Sequence, residues 1–205
     1  MAPDDDALPP PARRLCDAMA AAFPDPAVAP LDASALRRAA AGGVAPRGGR
    51  ASRPPDAVRV HEVEGGPVPM RAYDPGGGAD RPFLVFLHGG GWVLSGLATH
   101  DRLCHELARR TGALVLAVDH RAAPEHRFPA AVDDAVAALT WALAQAERLG
   151  CDPGRVLLVG DSSGGNLAAA TALAVRGNAP GPAGVVLVYP VLDALPDTPA
   201  TAGPP

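Results

Sequence analysis

Residues 155–170 read RVLLVGDSSGGNLAAA. The unbroken apolar run Val156–Val159 leaves no polar face, the pattern of a strand covered on both sides. The alanine- and leucine-rich residues after Gly165 favour a helix. Between them lies a turn with Ser162 at its centre, flanked two residues away on either side by Gly160 and Gly164. A strand-to-helix turn that tight puts the serine in strained backbone geometry and requires small neighbours, because a Cβ at either flank would clash. It holds the hydroxyl clear of the sheet, above a helix N-terminus whose unpaired N–H groups favour developing negative charge. Gly160-Asp161-Ser162-Ser163-Gly164 therefore fits the G-x-S-x-G pattern in the strand–turn–helix setting that a nucleophilic serine needs. The plainer alternative is a glycine-rich turn with a capping serine. Ser163 is the rival nucleophile. It lacks the symmetric glycine flanks, and its backbone N–H is better used as a donor to an oxyanion.

The same rhythm extends upstream. FLVFL (83–87) reads as a buried strand running into HGGGW (88–92), ALVLAVD (113–119) as another strand, and GVVLVY (184–189) as a third. Between them, HDRLCHELARRTG (100–112) carries Leu103 and Leu107 at helical spacing, and FPAAVDDAVAALTWALAQAERLG (128–150) places Val132, Val136, Leu139 and Leu143 on one stripe. Alternating strands and helices predict an α/β fold with a mostly parallel sheet covered on both faces. VRVHEV (58–63) and VPMRAY (68–73), separated by EGGP, predict a hairpin. Helical patterns are expected around Ala12–Phe23 and Ser34–Ala41, followed by a joint without periodicity. The expected organisation is 1–55 as an N-terminal helical segment and joint, 56–192 as the core, and 193–205 as a Pro-rich tail.

HGGGW is the second constellation. Its glycines let bare backbone N–H groups approach an oxygen that has just become negative, so Gly89 and Gly90 are the expected oxyanion donors, joined by Ser163. His88, Gly91, Gly160, Asp161 and Gly164 support the two motifs, and Trp92 is a candidate pocket residue, with core packing as the alternative.

HGGGW, VDHRAAPEHRFPAAVDDA (118–135) and VGDSSGGNLAAA (159–170) together resemble the hormone-sensitive-lipase-like esterases, the GDXG branch of the α/β-hydrolases. The resemblance covers about residues 57–192. It implies an α/β-hydrolase fold with an N-terminal helical cap, carboxylic ester hydrolysis through an acyl-enzyme on Ser162, uncharged small-molecule esters of short to medium acyl chain as substrates, and no cofactor. The chain departs from the family's Y-R-L-A-P-E segment, with His120 at the tyrosine position and Ala122 or Ala123 at the leucine. Arg121, Glu125, Asp133 and Asp134 read as scaffold hydrogen bonds and ion pairs.

A serine hydroxyl needs a base, and in α/β-hydrolases the acid and the histidine follow the serine in the chain. All six histidines (61, 88, 100, 105, 120 and 126) precede Ser162, and the acids after it are Asp193 and Asp197. His88 reads as structural, His100 and His105 as surface residues of a solvent-facing helix, and His120 or His126 as side chains near the pocket. Asp193 reads as a turn residue. The expectation is a sheet incomplete at its C-terminal side, a truncated esterase with impaired activity. A non-catalytic ligand-binding relative and an inert remnant are the alternatives.

Composition agrees with a globular enzyme. Apolar residues make up 48% of the 205, enough for a core. A net charge of −4 gives no reason to expect nucleic acid as a partner. Cys16, Cys104 and Cys151 are too scattered for a metal site or a disulfide framework. No signal-peptide pattern or membrane span is evident, so the expected location is cytoplasmic. The oligomeric state stays open.

Overall fold

The computed structural model describes residues 9–10, 13–14, 17, 32–43, 58–177 and 180–193. Of the helix expected over Ala12–Phe23, residues 13, 14 and 17 are helical. The second expected helix is α1 (Ala33–Gly43). Nearly all of the Pro-rich tail lies outside the described residues.

The core holds six strands and three further helices: β1 (Arg59–Glu62), β2 (Met70–Asp74), β3 (Arg81–Leu87), α2 (Leu97–Thr111), β4 (Leu114–Val118), α3 (Ala130–Gln145), β5 (Cys151–Asp161), α4 (Ser163–Ala174) and β6 (Gly184–Val188). They form one sheet in the order β1-β2-β4-β3-β5-β6. β1 and β2 make the expected hairpin, with Arg59 opposite Asp74, and β2 runs antiparallel to β4. β4, β3, β5 and β6 are parallel.

Alternation along β3 explains its unbroken apolar sequence. Phe83, Val85 and Leu87 join the core under α3 and α4, while Leu84 and Phe86 join the core under α2. The stripe of α3 is shifted from the expected one: Ala135, Ala138, Leu139 and Ala142 are fully buried, and Val132, Val136 and Leu143 flank them. Alanines at helical spacing let the helix axis approach the sheet closely, so the larger residues fill the margins.

Helix α2 is a correction. Leu103, read at helical spacing with Leu107, is 45% exposed, whereas Cys104, Ala108 and His105, the last expected at the surface, are buried. The small Cys104 and Ala108, four residues apart, seat the helix against Phe86 and Val115. That rotation carries His105 inward and Leu103 outward. β6 pairs with β5 alone among the described residues, and Val186, Tyr189 and Leu192 beside that edge are exposed.

Candidate active site

β5 ends at Asp161 and α4 begins at Ser163, so Ser162 alone makes the turn. Its backbone sits at φ 53°, ψ −120°, a sparsely populated region for a residue with a side chain. The flanking glycines are needed for space. A Cβ on Gly160 would run into the Gly164 carbonyl, and one on Gly164 into the Leu87 carbonyl and the His88 backbone. Hydrogen bonds hold the strained turn in place. Ser162 N–H donates to Val188 O (2.9 Å), and the Ser162 carbonyl accepts from Asn166 N–H (3.1 Å) and Val191 N–H (3.2 Å). Asn166 Nδ2 donates to Val191 O (2.8 Å), tying the first turn of α4 to the segment after β6.

The HGGGW loop leaves the C-terminal end of β3, the neighbouring strand, and faces this turn. Two of its N–H groups are already engaged. Gly89 N–H donates to Asp161 Oδ1 (3.0 Å), and Gly91 N–H donates to the buried Ser163 Oγ (2.9 Å). Gly89, expected as an oxyanion donor, has its N–H engaged by the aspartate beside Ser162. Gly90 N–H has no acceptor among the described residues, and its φ of 134° together with the Leu94 carbonyl beside it leaves no room for a side chain. Ser163 N–H, at the first turn of α4, has no intrahelical acceptor. Of the three amides expected as oxyanion donors, those of Gly90 and Ser163 are left without an acceptor among the described residues.

The histidines are arranged differently from the expectation. His100 is no surface residue: its Nε2 lies 3.3 Å from Asp161 Oδ1, and its side chain is 14% exposed. Burial opposes ionisation of Asp161, but the bonds from His100 and Gly89 outweigh it and hold the carboxyl below its usual range. His88 stacks on His120 with ring centroids 4.1 Å apart. His88 Nδ1 donates to Gly89 O (3.0 Å), and His120 Nε2 reaches His88 O (3.3 Å). His120, at the tyrosine position of the resemblance, is thus a prop for the loop. His126 is exposed and lines a cavity of about 380 Å³ with Trp92, Phe128, Val132, Asn166 and Leu167. Trp92 also packs partly on the core and has φ 58°. No imidazole is hydrogen-bonded to Ser162 Oγ among the described residues.

Asp134 and Glu125 make the scaffold bonds expected of them. Asp134 is buried and takes a bidentate bond from the Arg121 guanidinium (Nη2 to Oδ1, 2.8 Å), with Arg121 N–H on Oδ2 (2.8 Å). Glu125 pairs with Arg37 of α1, a residue the sequence reading passed over. Asp133 is exposed.

Burial, reinforced by the neighbouring His120, pushes the His88 imidazole down to about 4. This has a consequence for stability. Below the ordinary value of 6.5 the unfolded chain takes up a proton that folded His88 refuses, so stability falls with pH until the folded imidazole itself protonates near 4. The loss over that window is about 3 kcal/mol. His88→Asn, whose amide can still donate to Gly89 O, is expected to flatten the slope between pH 6.5 and 4 in urea titrations. Loss of stability at lower pH remains, because Asp74, Asp134 and Asp161 have lowered carboxyl values and their contributions vanish as they protonate. An unchanged slope in His88→Asn rules out His88 as its origin.

A strained serine between a parallel strand and a helix, faced by a glycine loop from the adjacent strand, is the strand–turn–helix arrangement of the nucleophile-elbow fold class. The chain belongs to the α/β-hydrolase family: the family model described as alpha/beta hydrolase fold matches residues 84–204. It is 48% identical over 134 residues to the carboxylic ester hydrolase LipN of Mycobacterium tuberculosis, covering 62% of this chain and 36% of that protein. It is 45% identical over 138 residues to the ethyl acetate hydrolase of Pseudomonas putida, covering 64% of this chain and 43% of that protein. Among solved structures, an ester hydrolase from the metagenome of Lake Arreo superposes with a TM-score of 0.78 at 35% identity, over 94% of this chain and 63% of that one. A Pyrobaculum calidifontis esterase superposes at 0.67 and 37% identity, over 82% of this chain and 53% of that one. The matched segments thus span well under half the length of these two curated relatives. No helix among the described residues is long and apolar enough to cross a membrane.

Proposed function

We propose that the protein is a serine carboxylic-ester hydrolase whose nucleophile is Ser162. The observation that carries this reading is the Ser162 backbone at φ 53° directly before α4, opposite the one HGGGW glycine whose N–H is unengaged. An ester carbonyl seated there meets the N–H groups of Gly90 and Ser163, each worth about 3 kcal/mol to the tetrahedral oxyanion. Ser162 Oγ bonds to the acyl carbon as its proton passes to a base. The C–O bond to the alcohol then breaks with that proton delivered to the leaving oxygen, and water releases the acid from the acyl-enzyme. The cavity lined by Trp92, Phe128 and Val132 suits an apolar part of an uncharged ester of short to medium chain. No step calls for a cofactor. The free thiols of Cys104 and Cys151 favour a reducing compartment, in keeping with a cytoplasmic location.

The test supplies the base from outside. With p-nitrophenyl butyrate and added imidazole, mass spectrometry is expected to find one butyryl group on Ser162. That adduct disappears in Ser162→Ala and persists in Ser163→Ala. An adduct on Ser163 or a cysteine instead would sink the assignment. Saturable binding of the ester without any adduct would favour a non-catalytic binding relative.

A further inference from the structure

The side chain of Arg37 reaches from α1 to two separate loops of the core. Its Nε donates to Val93 O (2.7 Å) and its Nη2 to Ala123 O (2.7 Å). Nη1 and Nη2 also bond Glu125 Oε1 and Oε2, at 2.7 and 2.8 Å. One planar guanidinium thus satisfies two backbone carbonyls, 30 residues apart in the chain, and a bidentate carboxylate.

Both carbonyls adjoin functional ground. Val93 follows Trp92, and Val93 N–H donates to Gly90 O (3.2 Å), closing the turn that fixes the Gly90–Gly91 peptide, directly after the Gly90 N–H. Ala123 lines the cavity together with Trp92, and Ala123 N–H donates to Trp92 O (2.8 Å). The 88–96 loop and the 121–129 loop are therefore joined by one direct backbone bond and by the Arg37 fork. Trp92 lies between these ties in a left-handed conformation that needs outside support.

We propose that Arg37 is a positioning residue. It latches helix α1 onto the rim of the cavity and, through Val93 and Ala123, holds Trp92 and the Gly90 donor in place. The proposal names a role within the ester-hydrolase reading and rests on it, but its test needs no turnover, so either can fail without the other. A lysine keeps the charge but carries its donors on a single nitrogen, without the fork that spans three acceptor groups.

The experiment compares the full chain with Arg37→Ala, Arg37→Lys and Glu125→Gln, each with Trp141→Phe so that Trp92 is the only tryptophan. Amide hydrogen exchange and acrylamide quenching of Trp92 are the readouts. Arg37→Ala is expected to speed exchange at residues 90–95 and 122–126 by about 10-fold while leaving 84–87 and 114–118 unchanged. Its Trp92 emission shifts to the red and becomes about twice as quenchable. Arg37→Lys recovers only part of this. Glu125→Gln, which leaves both carbonyl bonds intact, stays near the parent. Should Arg37→Ala fail to fold, the other two variants carry the test. Parent-like loops in Arg37→Ala, full recovery in Arg37→Lys, or an equal loosening of the core strands would each overturn the latch.

Discussion

Without added base, the 205-residue chain is expected to hydrolyse a p-nitrophenyl ester about 10⁶-fold more slowly than an enzyme with a complete serine–histidine–acid triad. Ser162→Ala is expected to change that residual rate by no more than a few-fold. The reason is non-additivity: a serine and its base act as one unit, and once the base is lost, removing the serine costs little more. What remains is about 10³-fold over water, from substrate binding and the oxyanion donors. The structure motivates the expectation. His88 and His120 are stacked and bonded to backbone, His100 is engaged by Asp161, and no imidazole is bonded to Ser162 Oγ among the described residues. Steady-state release of p-nitrophenol from the chain and from Ser162→Ala checks it. A rate within about 10²-fold of a complete triad that collapses in Ser162→Ala would mean that an imidazole does reach the nucleophile. His126, which lines the adjoining cavity, would be the first to replace.

The strand–turn–helix at Ser162 was legible because its causes are local. A doubly apolar strand, two glycines at fixed spacing and a run of helix formers all lie within sixteen residues. The parallel sheet was legible for the same reason, since FLVFL and ALVLAV have no polar side to offer water. What escaped depends on contacts between distant residues. Whether Gly89 or Gly90 keeps an unengaged N–H is decided by Asp161, 72 positions away. His100 looks like a surface histidine until α2 is rotated against the sheet, and that rotation was set by Cys104 and Ala108 rather than by Leu103. Arg37 sits among arginines and alanines with nothing in its neighbourhood to mark it, because Glu125 is 88 positions away and its other two acceptors are backbone carbonyls. Carbonyls leave no trace in a side-chain pattern.

Gly164→Ala is expected to destabilise the chain by about 4 kcal/mol or more, placing it among the exceptional single substitutions. Over-packing a core usually costs about 1–3 kcal/mol because side chains can shift. Here the obstruction is backbone. The added Cβ would meet the Leu87 carbonyl, with His88 C and O at 2.6 Å. Those atoms end β3, whose register with β5 is fixed through Leu87 opposite Gly160. Gly160 in turn cannot yield, because the Gly164 carbonyl presses on its own Cβ position. Helix α4 would have to draw back from the sheet, pulling Ser163 N–H away from Gly90 and breaking the bond from Gly91 to Ser163 Oγ. The same substitution at Gly78, where no atom lies within 4 Å of the new methyl, is expected to stay within about 0.5 kcal/mol of the parent. Urea midpoints of the two variants make the comparison. A Gly164→Ala chain as stable as Gly78→Ala would show that the helix has slack at its first turn. The close approach of α4 to β3 would then be incidental to the elbow, and the serine's strained backbone would need another source of support.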